Sequence, residues 1–211
     1  MGEKRVRLPR METPIGIAAF AWLAKPDSKY NKDKPKYKLT LVLEDDDATK
    51  EFLETAGQLA RETAKQMDDV PAKAAKKLPV KSGDEFNEDR VENEKEAIEE
   101  FAGKTLVTLN TSRPPNLFLP AELVESNPDV TIMSGDRVKA KFRVNPYAGF
   151  GGGVNFQLTA VKLIEKLAFG DDDDGFDDDD DDEYVSRKAS GPSKGDADDD
   201  GGDDDDGDGD Y

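Results

Sequence analysis

Arg137-Val138-Lys139-Ala140-Lys141-Phe142-Arg143-Val144 decides how this chain is read. Val138, Ala140, Phe142 and Val144 alternate with Arg137, Lys139, Lys141 and Arg143, the period of a strand with one face in a core and the other in water. No acid interrupts the stretch, so four cations share one side of one strand. The next residues, Asn145 to Gly153, read as a loop with four glycines and two aromatics, Tyr147 and Phe150. Val154, Phe156, Leu158 and Ala160 then alternate before the apolar parity slips near Val161 and Leu163, as a bulge would cause. These two strands make a hairpin that ends near Glu165.

Upstream, Ile15 to Ala24 is rich in β-branched, aromatic and small apolar residues and reads as a strand closed by the turn signal Lys25-Pro26-Asp27. Tyr37, Leu39, Leu41 and Leu43 alternate with Lys36, Lys38, Thr40 and Val42 in a second strand, joined directly to the first. After Asp45-Asp46-Asp47, the spacing of Phe52, Ala56, Leu59, Ala60, Thr63 and Met67 predicts a helix of roughly 20 residues whose acidic start suits the positive end of its dipole. Pro71 and Pro79 break the stretch after this helix, and residues 82–103 are charged, with Val91 to Phe101 readable as a short helix or an insertion. Lys104 to Asn110 reads as a short strand stopped by Pro114-Pro115, and Asp129 to Met133 as another before the turn Ser134-Gly135-Asp136. The sum is mainly β with one long helix: about five strands in a small Greek-key barrel of the OB type, rather than a βαβ sheet.

Charge divides the chain. Residues 171–211 hold 21 acidic residues against Arg187, Lys188 and Lys194, a net −18 that equals the net charge of all 211 residues. Residues 1–170 therefore balance at zero and read as one folded domain, while the tail has almost nothing apolar to bury and reads as disordered. There is no cysteine and no histidine, so thiolate chemistry and the commonest general base and metal ligand are missing; no cofactor and no enzyme activity are expected. The apolar run from Ile15 to Ala24 is too short to span a bilayer, which leads to the expectation of a soluble, unsecreted protein without a membrane partner. Asp204, Asp206, Asp208 and Gly209 match the opening of a calcium loop, but no Glu stands at its twelfth position.

Two segments carry the candidate chemistry. The connection between the first two strands holds Lys25, Lys29, Lys32, Lys34 and Lys36, with Lys38 just inside the strand and Tyr30 and Tyr37 among them. Cations that track phosphates, interleaved with rings that stack on bases, suit an unpaired nucleic-acid strand; the plain alternative is a solvated lysine loop. The second segment is Arg137, Lys139, Lys141 and Arg143 running into Tyr147 and Phe150, for which the alternative is the wet face of a strand. In an OB barrel the first-to-second and fourth-to-fifth connections flank the ligand groove, and the two basic, aromatic segments fall there. Phe20 and Trp22 share one strand face, in core or groove, with Trp22 read as groove. Lys73, Lys76, Lys77 and Lys81 read as a solvated linker.

Several stretches carry a resemblance: Phe20-Ala21-Trp22-Leu23-Ala24-Lys25-Pro26-Asp27, Tyr37-Lys38-Leu39-Thr40-Leu41, Arg137 through Leu167, and the junction Leu167-Ala168-Phe169-Gly170 into an acidic tail containing Glu183-Tyr184-Val185. In these the chain resembles the single-stranded DNA-binding proteins of T-seven-like podoviruses. Leu78 to Glu85 and Arg113-Pro114-Pro115 are more similar to the wider group of phage OB-fold single-strand binders. The resemblance implies sequence-independent binding of single-stranded DNA in phage replication, recombination and repair, in the cytoplasm of the infected bacterium, by a homodimer. It also implies a tail that docks the replicative DNA polymerase and helicase-primase through its end, here Asp208, Asp210 and Tyr211, where the family's pattern has a terminal phenylalanine. A rival from another class is an acidic chaperone or scaffold that holds basic proteins through the tail.

Overall fold

The computed structural model describes residues 6–28 and 34–167. The sequence expectations that fall on Lys29, Tyr30 and Lys32, and those on the acidic tail with Asp208, Asp210 and Tyr211, lie outside them.

Five strands close into a ring. β2 (Gly16–Asp27), β3 (Lys36–Leu43), β5 (Thr105–Thr111), β7 (Arg137–Tyr147) and β8 (Gly153–Glu165) are the principal ones. β2 pairs with β3, β3 with β5, β5 with β8, β8 with β7 and β7 with β2; all are antiparallel except β5 with β8. This is the OB barrel expected from the sequence. Three short strands seal its margins. β1 (Arg10–Glu12) lies along β7, and β4 (Val80–Ser82) takes the half of the β5 edge that β8 leaves open. β6 (Asn116–Phe118) extends the sheet beyond β8.

Strand alternation sends Leu39, Leu41, Leu109, Val138, Phe142, Val144, Phe156 and Val161 into the barrel, where each is wholly buried. α1 (Asp47–Ala64) starts at Asp46, whose side chain accepts from the Thr49 N–H at 2.8 Å, and Arg61 lies in its last turn, so both ends suit the helix dipole. Its buried Phe52, Ala56, Ala60 and Ala64 recur every fourth residue, the stripe that packs on the barrel. There the Phe52 ring meets Phe142 edge-on at 6.0 Å, and Phe142 meets Phe156 at 4.5 Å.

Four local readings change. Lys25-Pro26-Asp27 is the end of β2 rather than a turn: the register slips between Trp22 and Asp27, and proline, which has no N–H to give, fits such an irregular stretch. Likewise β7 runs on through Asn145-Pro146-Tyr147, paired with Val154 and Gly153, so the loop is only residues 148–152. Asp129 to Met133 is not a strand, because the wholly buried Asp136 carboxylate takes the Met133 N–H at 2.8 Å as well as Leu167 N–H and Lys166 Nζ. Finally, the charged stretch folds as α2 (Gly83–Glu92), capped by Ser82, and a 3₁₀ turn, Glu99–Phe101. The slip in β8 is a bulge: Leu158 faces Phe142 and Ala160 faces Lys141, so Thr159 is the extra residue and its hydroxyl donates to the Lys141 carbonyl.

Candidate nucleic-acid interface

The outward face of β2, β3 and β5 is built by register. Trp22 lies opposite Lys38, and Lys38 opposite Asn110; one step along, Ala19, Thr40 and Thr108 form the next row. Asp27, itself buried, holds the Lys38 ammonium at 2.5 Å, which fixes that cation beside the indole of the half-buried Trp22. Lys25, Lys34 and Lys36 are exposed at the rim, where the connection to residues 29–33 begins.

The lower end of this face is closed by a second apolar cluster outside the barrel. Ala19 and Val42 of the sheet, Leu106 of β5 and Phe101 of the 3₁₀ turn form it, with Phe20, Phe86 and Ile98 packed against them. Phe20, Phe86 and Phe101 stand 5.5–6.1 Å apart in tilted and edge-on pairs. Phe20 reaches them from a left-handed backbone conformation, φ +48°, at the β2 irregularity. The segment 83–101 is thus a wall beside the face: Gly83 sits so close to Phe101 that a Cβ would fall 1.6 Å from its carbonyl oxygen. Sequence reasoning missed this wall and the polar row Thr108 and Asn110; the alternation of Leu106, Thr108 and Asn110 within the β5 strand was the available signal.

The second segment goes elsewhere. Arg137, Lys139, Lys141 and Arg143 do project outward on β7, but β2 stands between β7 and β3 in the ring, so these cations occupy a different arc from Trp22 and Lys38. Nor are they without acids. Arg137 binds Glu165 at 2.8 Å, and Glu12 of β1 binds Lys139 at 2.7 Å and approaches Lys141 at 3.7 Å. The hydrogen bond from Lys139 holds the Glu12 carboxyl below its ordinary value, with the charge of Lys141 adding to it. Arg143 faces Arg10 across the strands and keeps its Nε buried with no hydrogen-bond partner among the described residues.

At the far end of β7 the loop 148–152 carries Phe150, fully exposed and with φ +53°. Tyr147 is half-exposed, its ring lying over Gly153, where an added Cβ would come within 2.9 Å of the hydroxyl. Among the described residues no cluster of acidic side chains could hold a metal, and no helix is long and apolar enough to cross a membrane.

The closed five-strand barrel has counterparts among solved structures. The barrel is similar to the single-stranded DNA-binding protein of bacteriophage Enc34, solved in complex with ssDNA, at 20% identity and a TM-score of 0.54 over 76% of this chain and 89% of that one. It is also similar to gp2.5, the single-stranded DNA-binding protein encoded by bacteriophage T7, at 19% identity and a TM-score of 0.54 over 86% of this chain and all of that one. A C-terminal truncation of the Enc34 protein matches at 20% identity and 0.54 over 75% and 87%. No protein-family model matches the sequence, and no curated protein does. The kinship is one of fold.

Proposed function

We propose that this protein binds single-stranded DNA without regard to sequence, on the outward face of β2, β3 and β5. Trp22 and Tyr30 offer rings to bases, Lys25 and Lys36, with Lys29, Lys32 and Lys34 of the connection, neutralise phosphates, and Lys38, held by Asp27, lines the face opposite Trp22. The observation that carries this reading is the pairing of Trp22 with Lys38 on a face walled by Phe20, Phe86 and Phe101, in a barrel similar to that of the Enc34 protein, which was solved in complex with ssDNA. Tyr147 and Phe150 extend the contact. Arg137, Lys139, Lys141 and Arg143 supply positive potential from a neighbouring arc rather than direct contacts, because Glu165 and Glu12 hold three of them.

In the same proposal residues 1–170 are the binding domain and residues 171–211, net −18, act as a tethered mimic of the DNA backbone. DNA displaces the tail, whose end, Asp208, Asp210 and Tyr211, then docks the polymerase and helicase-primase of phage replication and recombination in the infected bacterium. The protein works as a homodimer.

Trp22 is the only tryptophan, so its fluorescence reports on the face directly. Single strands should quench it and a matched duplex should not. Four to six neutralised phosphates imply a slope of roughly −3 to −4 in log affinity against log salt. Removal of residues 171–211 should tighten binding, most at low salt. Equal affinity for duplex, or a flat salt response, would sink the proposal.

A further inference from the structure

The lysine-rich turn after α1 is not a bare linker. Residues 74–76 form a 3₁₀ turn whose Ala74 and Ala75 are buried in the main core, while Lys73, Lys76 and Lys77 stay exposed. Two backbone bonds tie this turn between the binding sheet and the glycine loop: Thr108 N–H donates to the Pro79 carbonyl at 2.9 Å, and Val154 N–H to the Lys77 carbonyl at 2.9 Å. The loop also presses on it directly, since a Cβ at Gly152 would lie 2.7 Å from that of Ala74. The backbone that carries the three lysines is thereby fixed beside the loop that carries Phe150, with Lys76 lining a groove against Gln58 and Arg61 of α1.

Phe150 itself asks for an explanation. Three successive residues, Phe150, Gly151 and Gly152, have φ of +53°, +82° and +76°. Glycine takes that region freely, but a bulky side chain does so at a cost of order 1–3 kcal/mol. Here the cost is met in order to hold a phenyl ring entirely in water, where it gains nothing from the fold. Beside it, Lys73, Lys76 and Lys77 form no ion pair with any described residue, unlike Arg137, Lys139 and Lys141. An unsupported ring and unneutralised cations, carried on a loop and a turn whose backbones touch at Gly152 and Ala74, match the chemistry of a nucleotide: a flat base and a phosphate.

We propose that Lys73, Lys76, Lys77 and Phe150 form a second nucleotide-binding station, reached by a strand that leaves the β2–β3–β5 face across β5 and passes over the turn. The station rests on the single-strand reading above and lengthens its path: the sheet face takes the first nucleotides, and the station holds the strand's continuation by phosphate contacts and one stacked base. Short strands fill only the face; longer ones engage both.

The test uses the full chain and oligothymidylates of about 6 and about 16 nucleotides, inside the roughly 4–16 nucleotide range of site sizes for such barrels. Trp22 fluorescence reports the face, and a 2-aminopurine near the end of the longer strand reports stacking at the loop. A Lys73→Gln, Lys76→Gln, Lys77→Gln variant should bind the short strand as the parent does. It should bind the long strand about tenfold more weakly at low salt, with a salt slope shallower by about 2 for three lost phosphate contacts. Phe150→Ala should abolish the 2-aminopurine quenching, and quenching kept in that variant would overturn the ring's place in the station. Unchanged long-strand affinity and slope in the triple variant, with Trp22 still quenched, would overturn the station and leave the face intact. Failure of both strands to bind the parent would overturn the single-strand reading and the station with it.

Discussion

The outward face of β7 and the turn at 73–77 are both cationic, and they end in opposite states. On β7 the pattern is regular, Arg137, Lys139, Lys141 and Arg143 at every second residue, yet Glu165 and Glu12 neutralise three of the four. The turn has no such pattern, and its Lys73, Lys76 and Lys77 remain exposed and unpaired among the described residues. What a cation is available for depends on which acids the fold brings to it. Glu12 is more than 120 residues from Lys139 and reaches it only because β1 pairs with β7, with the Ala140 N–H donating to the Thr13 hydroxyl at 3.0 Å just beyond.

The largest effect separates the two faces of β7. Phe142, inward and wholly buried against Phe52 and Phe156, should cost about 3–5 kcal/mol of stability on truncation to Ala, read by urea unfolding. Lys141→Gln, one residue away but outward, should fall within about 0.5 kcal/mol. Comparable losses at the two positions would mean that the alternation does not describe the strand.

Next in size is the contrast in DNA affinity. Trp22→Ala should weaken single-strand binding by about 1–3 kcal/mol, as loss of a stacking ring does. Lys139→Gln, which removes a cation already held by Glu12, should change affinity by less than about 0.5 kcal/mol. If both lysine and tryptophan variants lose the same affinity, the β7 face is a contact surface and the comparison fails.

The smallest effect is one of pH. Because the Lys139 hydrogen bond lowers the Glu12 carboxyl from its ordinary 4.5, that group releases its proton more readily in the folded chain than in the unfolded one. The resulting stabilisation of β1 on β7 is fully present above the unfolded value and is lost as pH falls through the lowered folded value. Amide exchange at Arg10–Glu12 should therefore speed up relative to the rest of the barrel as pH falls below the ordinary 4.5, and Glu12→Gln should remove that dependence. Exchange that quickens equally across β1 and β3 would assign the acid sensitivity to other carboxylates.

Much of the barrel was legible because its determinants are local in the chain. The strict alternations of β3, β7 and β8 and the four-residue stripe of α1 give type and inward face without any tertiary knowledge, and even the β8 bulge showed as a slip in parity. The wall at 83–101 was opaque: its one exposed-looking ring, Phe86, sits on a helix with almost no apolar stripe, and its partners Phe20, Val42 and Leu106 come from three strands. β1, β4 and β6 are three residues each, too short for a period to register. Of the site, Trp22 opposite Lys38 follows from the β2–β3 hairpin, whereas the ion pairs that occupy β7 and the stitching of the lysine turn to the glycine loop are long-range facts with no trace in spacing.

The most direct test of the account is to crosslink a bromouracil-containing single strand to the full chain with ultraviolet light and map the attached peptides by mass spectrometry. The account predicts adducts on the β2 peptide that carries Trp22 and on the loop peptide that carries Phe150, with the outward β7 residues 137–143 unmodified. Adducts concentrated on 137–143, with Trp22 left clean, would contradict it.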